Sequence, residues 1–502
     1  MTEPLLIAKS GNLDLVLLPE LANRHGVVTG ATGTGKTVTI QSMIEKFSEA
    51  GVPVFVADIK GDVAGLAAPG GGNDKVDQRL ADLGLPPLDP VASPVIFWDV
   101  YGELGHPVRT TVSEMGPLLL ARLLDLNDTQ TGVLLVGFAW ADDQQLPLVD
   151  LSDLRALLNA IGERRKELSS AYGAVSTASI GAIQRGLLRL EEAGGDQLFG
   201  EPALDLNDFI RLTPEGRGYV NVLAAERLFH QPLAYGTFLL WMLSELFENL
   251  PEVGDPEKPA LVFFFDEAHL LFDDMPKKLS DRIQQVVRLI RSKGVGVYFI
   301  TQMPIDIPDV VLGQLGNRVQ HALRAYTPRD QKAIRAVAET FRVNESFDIE
   351  DAITQLVVGE ALISFLDPKG APNVVERGLV IPPRSRIGPI STEERAAVMN
   401  ASPFVAKYAD AVDRESASEI LLERLNRAEA QGEAERQRQE FEEERAALEK
   451  EREKLEREAA RRTSRSRSTK DPLDEFLGDT ASTLGRELGR ALSRGILGSL
   501  RR

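Results

Sequence analysis

The sequence predicts an α/β fold with a mostly parallel sheet, an all-helical insertion and a helical C-terminal tail. Short runs apolar on both faces, separated by helical stretches, indicate parallel strands covered by helices. The stretch from Met115 to Ala193 carries helical period and few β-branched runs, which marks an insertion of three to five helices. Beyond the prolines Pro382, Pro383 and Pro389 the chain turns charged and helical. Proline removes a donor and restricts its neighbour, so these residues mark a boundary. At 502 residues and 43% apolar, the chain has room for two or three folding units without staples.

In order along the chain, Gly26–Val28 is a strand ending at a glycine-rich turn, and Val52–Asp58 and Pro94–Val100 follow it. After the insertion come Tyr219–Leu223, a core helix around Phe238–Leu243, and the strands Leu261–Asp266, Val295–Thr301, Arg318–Leu323 and Ala361–Leu366. Residues 1–114 and 216–385 are then two parts of one core, with 115–215 inserted between them. Residues 390–460 form a charged helical tail, and 461–502 a basic linker and an amphipathic end. The N-terminus lacks a basic stretch followed by an apolar one, so it does not read as a secretory signal. No apolar run approaches the ~18 residues a membrane span needs. A cytoplasmic protein without an integral membrane segment is the expectation.

Composition excludes several chemistries. The net charge of −18 rules out a globally basic nucleic-acid coat, though not a local basic channel. The chain has no cysteine, so disulfides, thiolate metal sites, cysteine nucleophiles and iron–sulfur clusters are absent. Its five histidines, His25, His106, His230, His269 and His321, are too far apart in sequence for a structural zinc site.

Gly30-Ala31-Thr32-Gly33-Thr34-Gly35-Lys36-Thr37 matches the phosphate-binding loop G-x-x-x-x-G-K-[ST], after a predicted strand and before a predicted helix. Its glycines let backbone N–H groups converge on phosphates, and the helix start adds its dipole. Lys36 supplies a charge to the β- and γ-phosphates, and the Thr37 hydroxyl can ligate Mg²⁺. ATP and Mg²⁺ are the implied cofactors. The apolar strand ending in Asp266-Glu267 places two carboxylates at a strand's carboxyl edge, where such folds bind ligands. Asp266 would hold Mg²⁺ through its water shell, and Glu267 would orient and deprotonate the attacking water.

Gln302, at the tip of the next strand, is a candidate contact to both γ-phosphate and water. The alternative is a plain loop glutamine. Arg288 and Arg291 lie three apart on a predicted helix. They are either arginine fingers for a neighbouring subunit's nucleotide or cations complementing a helix end. Asp58-Ile59-Lys60-Gly61-Asp62 ends the second strand and reads equally as a nucleotide-linked element or a polar turn.

The ordered set of phosphate loop, D-x-K-G-D, the DEAH at Asp266–His269, R-x-x-R-x-K-G and TQ-x-P resembles the HerA/FtsK branch of P-loop ATPases. So do the later Asn317-Arg318, Leu323-Arg324 and Thr327-Pro328-Arg329-Asp330. Within that branch the chain is most similar to bacterial proteins with a helicase HerA-like C-terminal domain. The resemblance covers roughly residues 5–385. It implies a RecA-like fold, a hexameric ring, and ATP-driven movement on double-stranded DNA. It also implies that Gln302 is the γ-phosphate sensor and Arg291 the trans-acting arginine. Archaeal HerA carries a β-barrel before its ATPase core, and the position of Gly30 leaves no room for one here.

In the tail, Phe441, Leu448 and Leu455 recur every seven residues without a second apolar stripe. A solvated single helix is therefore favoured over a coiled coil. Arg461–Thr469 reads as a basic linker. Leu477, Leu484, Leu488, Leu492 and Ile496 form a glycine-interrupted apolar face suited to docking on the ring or on a protein partner. The leading functional reading is an oligomeric ATPase motor on double-stranded DNA. The alternatives are a motor on protein and a nucleotide-binding scaffold.

Overall fold

Alternation along four strands decides the architecture. Phe55 and Ala57, Ile96 and Trp98, Phe263 and Phe265, and Val297 and Phe299 are buried toward one face of the sheet. Their neighbours Val54 and Val56, Val95 and Phe97, Val262 and Phe264, and Tyr298 and Ile300 are buried toward the other. A strand apolar on both faces is stable only between two helical layers. The computed structural model, which describes residues 3–192, 194–254, 256–272 and 277–465, shows that arrangement.

The strands are β1 (Leu5–Ser10), β2 (Leu13–Leu17), β3 (Gly26–Thr29), β4 (Val54–Asp58), β5 (Val95–Asp99) and β6 (His106–Pro107). They continue with β7 (Val220–Ala224), β8 (Leu261–Phe265), β9 (Val295–Thr301), β10 (Asn317–Gln320), β11 (Glu360–Ser364) and β12 (Glu376–Val380). They form a sheet in the order β2-β1-β12-β11-β10-β3-β9-β8-β4-β7-β5-β6. From β10 to β6 every neighbouring pair is parallel. The β2, β1, β12 and β11 end is antiparallel. The order β10-β3-β9-β8-β4 is that of a RecA-like P-loop ATPase. It sets one strand, β9, between the phosphate-loop strand β3 and the acidic strand β8.

Eight strands stand where the sequence placed them. β1, β2, β6 and β12 were not anticipated. β2 alternates buried and exposed positions at the sheet's edge, and β6 is two residues long, so neither offers a buried apolar run. The residues before the phosphate loop thus form an antiparallel edge hairpin.

The helices are α1 (Lys36–Glu49), α2 (Asp74–Asp82), α3 (Val112–Leu123), α4 (Asp128–Asp143), α5 (Leu151–Glu163), α6 (Arg165–Ala171), α7 (Thr177–Glu192) and α8 (Pro232–Asn249). They continue with α9 (Lys277–Ile290), α10 (Asp309–Leu312), α11 (Pro328–Ala338), α12 (Ile349–Gln355), α13 (Thr392–Asn400), α14 (Val405–Tyr408) and α15 (Ala417–Arg465). Several starts are chemically marked. Thr111 with Glu114, Asn127 with Gln130, and Asp150 with Asp153 form reciprocal caps at α3, α4 and α5. Residues of α3 to α9 share one core with the first sheet face, whereas α1 covers the second through Ile40, Met43, Ile44 and Phe47.

The chain divides into a compact unit, residues 1–422, and a second unit from Glu423 onward. The compact unit runs past the prolines that suggested a boundary near 385. Phe404 and Tyr408 pack on Trp98, with ring centroids 5.7 and 5.3 Å away, so the segment after Ile390 is held by aromatic burial despite its charge. In the second unit, α15 exposes Phe441, Leu448 and Leu455. The amphipathic segment expected at Leu477–Ile496, and the linker beyond Arg465, lie outside the described residues. Among the described residues no helix is long and apolar enough to cross a membrane.

Candidate active site

Because β10 through β5 run parallel, their carboxyl ends share one edge. Along it lie His321 after β10, the loop Gly30–Lys36 after β3, and Gln302 after β9. Asp266 and Glu267 follow β8, Lys60 follows β4, and Glu226 follows β7. The fold therefore gathers residues up to about 290 positions apart in sequence on one line.

The phosphate loop is backed by neutral, well-satisfied groups. Gly30 has φ 151°, and a Cβ there would lie 2.5 Å from the His321 Cβ. Gly35, at φ 112°, has the Gly359 backbone 3.0 Å from where a Cβ would stand. Only glycine fits either place. Ala31 N–H donates to Ala322 O (2.8 Å), and Gly359 N–H donates to Thr34 O (2.9 Å). The buried His321 ring bonds Thr39 Oγ1 at 2.8 Å and Glu360 O at 2.9 Å. Burial, helped by the charge of Lys36, pulls its pKa down to about 4, so the ring is neutral at pH 7.

Lys36 donates from Nζ to Gly30 O (2.5 Å) and Ala31 O (3.2 Å). Its pKa is lowered by burial and by the charge of Lys60, against the pull of Glu267 and Asp266. Thr37 stands half-buried beside it in the first turn of α1.

The acidic side is the reverse of the loop's backing. Glu267 sits in the left-handed region at φ 47°, ψ 52°, which costs a non-glycine residue on the order of 1–3 kcal/mol and often marks function. Its side chain is nearly buried. Oε1 accepts from Lys60 Nζ at 2.5 Å, while Oε2 has no hydrogen-bond partner and faces His269 Nδ1 at 3.4 Å. Asp266 Oδ1 accepts from the Glu267 N–H at 2.9 Å. Burial, then repulsion from Glu267, pushes the Asp266 pKa up. Asp58 is buried at the end of β4 and accepts from Val63 and Ala64 N–H through Oδ2, both at 3.1 Å, leaving Oδ1 without a partner. Burial, then Glu226 and Asp266, raise its pKa to about 7.

This edge is short of positive charge, and it has carboxylate oxygens with nothing to accept from. A divalent cation bound between Asp266 and Thr37 would supply that charge, so the residues fit Mg²⁺. Among the described residues no group of three or more His, Asp or Glu could hold a metal ion by itself. Mg²⁺ at a phosphate site takes one or two protein ligands and completes its shell with phosphate and water. Chemically, the arrangement can hold a triphosphate on the loop amides and set a carboxylate beside its terminal phosphate.

Gln302 is exposed on the same edge, directly between the loop and the acidic pair. The two arginines are elsewhere. Arg288 lies exposed in the last turn of α9, and Arg291 lies in the 3-10 turn that follows, so the two do not share an α-helical face. Arg291 precedes β9 and its carbonyl accepts from Asn23 Nδ2 (3.4 Å), which puts it at the opposite, amino edge of the sheet. Lys60 and Asp58, left open between a site role and a turn, belong to the site edge. His321 and Gly359 were not foreseen. Their only signal is spatial, because each meets the loop from roughly 290 or 320 residues away.

A family model described as "Helicase HerA-like C-terminal" matches residues 3–502. A probable helicase of Methanocaldococcus jannaschii is 30% identical over 154 residues, covering 29% of this chain and 28% of that protein. The DNA double-strand break repair helicase HerA of Sulfolobus acidocaldarius is 20% identical over 376 residues, covering 70% of this chain and 64% of that one. The chain thus spans less than two thirds of either relative. Among solved structures, the plasmid coupling protein TrwB with a non-hydrolysable ATP analogue aligns over 77% of this chain and 98% of its own, at 14% identity and a TM-score of 0.49. VirB4 of Thermoanaerobacter pseudethanolicus aligns over 78% and 97%, at 14% identity and a TM-score of 0.43.

Proposed function

The chain belongs to the helicase HerA-like C-terminal family, and from that premise we propose that it is an oligomeric Mg²⁺-dependent ATPase motor acting on double-stranded DNA. The observation that carries this reading is the meeting of loop and acidic pair across the single strand β9. In this reading the loop amides and Lys36 bind the triphosphate. Thr37 and Asp266 would hold Mg²⁺, which would supply positive charge against the phosphates. Glu267 Oε2 accepts the proton of the attacking water, and Gln302 orients that water against the γ-phosphate.

Arg291 supports the oligomeric part. β9 has seven residues, about 20 Å at ~3.3 Å per residue, and separates Arg291 from its own site edge. A cation so placed serves a nucleotide only across a subunit boundary, which fits a ring, hexameric by family resemblance. DNA as the substrate is carried over from the HerA relative, described as a DNA repair helicase.

The test is ATP hydrolysis by the full chain with and without double-stranded DNA, together with a mixing experiment. Stimulation by DNA is expected. So is recovery of activity when inactive Lys36→Ala and Arg291→Ala subunits are combined, since each supplies what the other lacks. Hydrolysis indifferent to DNA would sink the DNA motor and favour a protein substrate. Failure of mixed subunits to recover activity would sink the trans role of Arg291.

A further inference from the structure

Lys60 is a second lysine at the site edge, and neither the phosphate-loop pattern nor the acidic pair accounts for it. It lies at the end of β4, the strand next to β8. Its ammonium reaches across to Glu267 Oε1 at 2.5 Å. The two partners differ in mobility. The Glu267 side chain is 8% exposed and fixed in a left-handed backbone, whereas that of Lys60 is 45% exposed on a long flexible stem. The Lys60 backbone is anchored. Ile59 before it is buried, and Asp58 closes the turn by accepting from Val63 and Ala64. Only the side chain is free to swing. The ammonium end of the pair stands in solvent, which screens the attraction, so the pair holds the fold less firmly than a fully buried one would.

The charges around it suggest a different account. Lys36, Lys60, Asp266 and Glu267 form two cations and two anions, and the charges of Lys36 and Lys60 oppose one another. A γ-phosphate entering beside Glu267 brings oxygens richer in charge than a carboxylate, and ammonium–phosphate hydrogen bonds are among the strong ones. The nearest half-exposed cation on the acidic side is Lys60. ADP brings no such group to that place.

We propose that Lys60 is a γ-phosphate ligand that leaves Glu267 for the terminal phosphate when ATP binds, and so lets the site distinguish ATP from ADP. The inference rests on the ATP-binding reading above. When Lys60 moves, Glu267 Oε1 loses its cation and both carboxylate oxygens face the attacking water. When ADP occupies the site, Lys60 stays on Glu267.

The test measures affinities of the full chain for ADP and for a non-hydrolysable ATP analogue, both with Mg²⁺, by calorimetry. The variants are Lys60→Met and Lys60→Arg. Lys60→Met is expected to weaken the analogue at least tenfold and change ADP less than twofold, with Lys60→Arg recovering most of the loss. Retained ADP binding shows that the variant is folded. An analogue-to-ADP ratio unchanged in Lys60→Met, including equal loss of both, overturns this inference alone. A wild-type chain that binds neither nucleotide overturns the ATP reading, and this inference with it.

Discussion

The two flanks of the phosphate loop are built on opposite principles. On the β10–β11 side, His321, Ala322 and Gly359 are neutral, the first two buried and the third half-buried, and they bond to the loop and α1. On the β8–β4 side, Asp266, Glu267, Asp58 and Lys60 are ionisable, and Glu267 Oε2 and Asp58 Oδ1 have no hydrogen-bond partner. Unsatisfied buried polar atoms are expensive, so they persist where a ligand or a reaction uses them. The neutral flank shapes the loop, and the charged flank leaves acceptors that the proposed nucleotide and cation would complete.

The strongest attempt to break this contrast is Glu267→Gln. The amide keeps the side chain's size and still accepts from Lys60, but it cannot take a proton from water. Turnover is expected to fall ~10²- to 10⁴-fold, the usual contribution of a general base, while nucleotide affinity stays near wild type. Steady-state hydrolysis and a binding titration on the same preparation check it. A variant that keeps more than a tenth of wild-type turnover would remove Glu267 from the chemistry.

Acid separates the flanks by sign. His321 titrates near 6.5 when unfolded but at about 4 in the fold. Its neutral ring stabilises fully above about 6.5, and that stability is lost as pH falls toward 4, by up to about 3 kcal/mol. Asp58 shifts the other way, from an ordinary value near 3.8 up to about 7. The folded state holds its proton at pH values where the unfolded chain has released it. Stability from this group therefore falls as pH rises from about 4 to 7 and stays low above. Asp58→Asn keeps an oxygen for the Val63 and Ala64 N–H groups and removes the titration. The variant should be more stable than wild type at pH 8, close to it near pH 4, and steeper in its loss on acidification. Denaturant midpoints at pH 8, 6 and 4.5 decide it. Parallel curves for the two proteins would show that Asp58 does not titrate differently in the fold.

The contrast also explains what could be read in advance. The phosphate loop, the acidic pair and the buried strands were legible because each is written in adjacent residues: glycines where amides must converge, and Val and Phe where both faces are covered. Lys60 was half legible. D-x-K-G-D at a strand end is a pattern without a fixed meaning until β8 is known to lie beside β4. His321 and Gly359 were illegible, because nothing near either residue announces the loop it supports. The strands β1, β2 and β12 of the antiparallel end escaped because intermediate or exposed positions interrupt them, so none offers a continuous buried apolar run. The continuation of the compact unit to Leu422 escaped because Phe404 and Tyr408 are single aromatics in a segment whose composition is otherwise that of a tail.

The smallest effect is expected on the neutral flank's outer rim. Arg79 in α2 donates from its guanidinium to Gly359 O (2.9 Å) and Val358 O (2.7 Å). It thereby holds the turn whose Gly359 N–H bonds Thr34 O in the loop. The contact is on the surface, and water replaces most of what is lost. Arg79→Ala should cost about 1 kcal/mol in unfolding free energy and weaken ATP and ADP equally, because the loop amides serve both. The equality sharpens the comparison. A residue of the neutral flank alters the cradle for every phosphate ligand, whereas one of the charged flank, Lys60, alters it for the terminal phosphate alone. Should Arg79→Ala discriminate between the two nucleotides as Lys60→Met is expected to, the division of labour between the flanks fails.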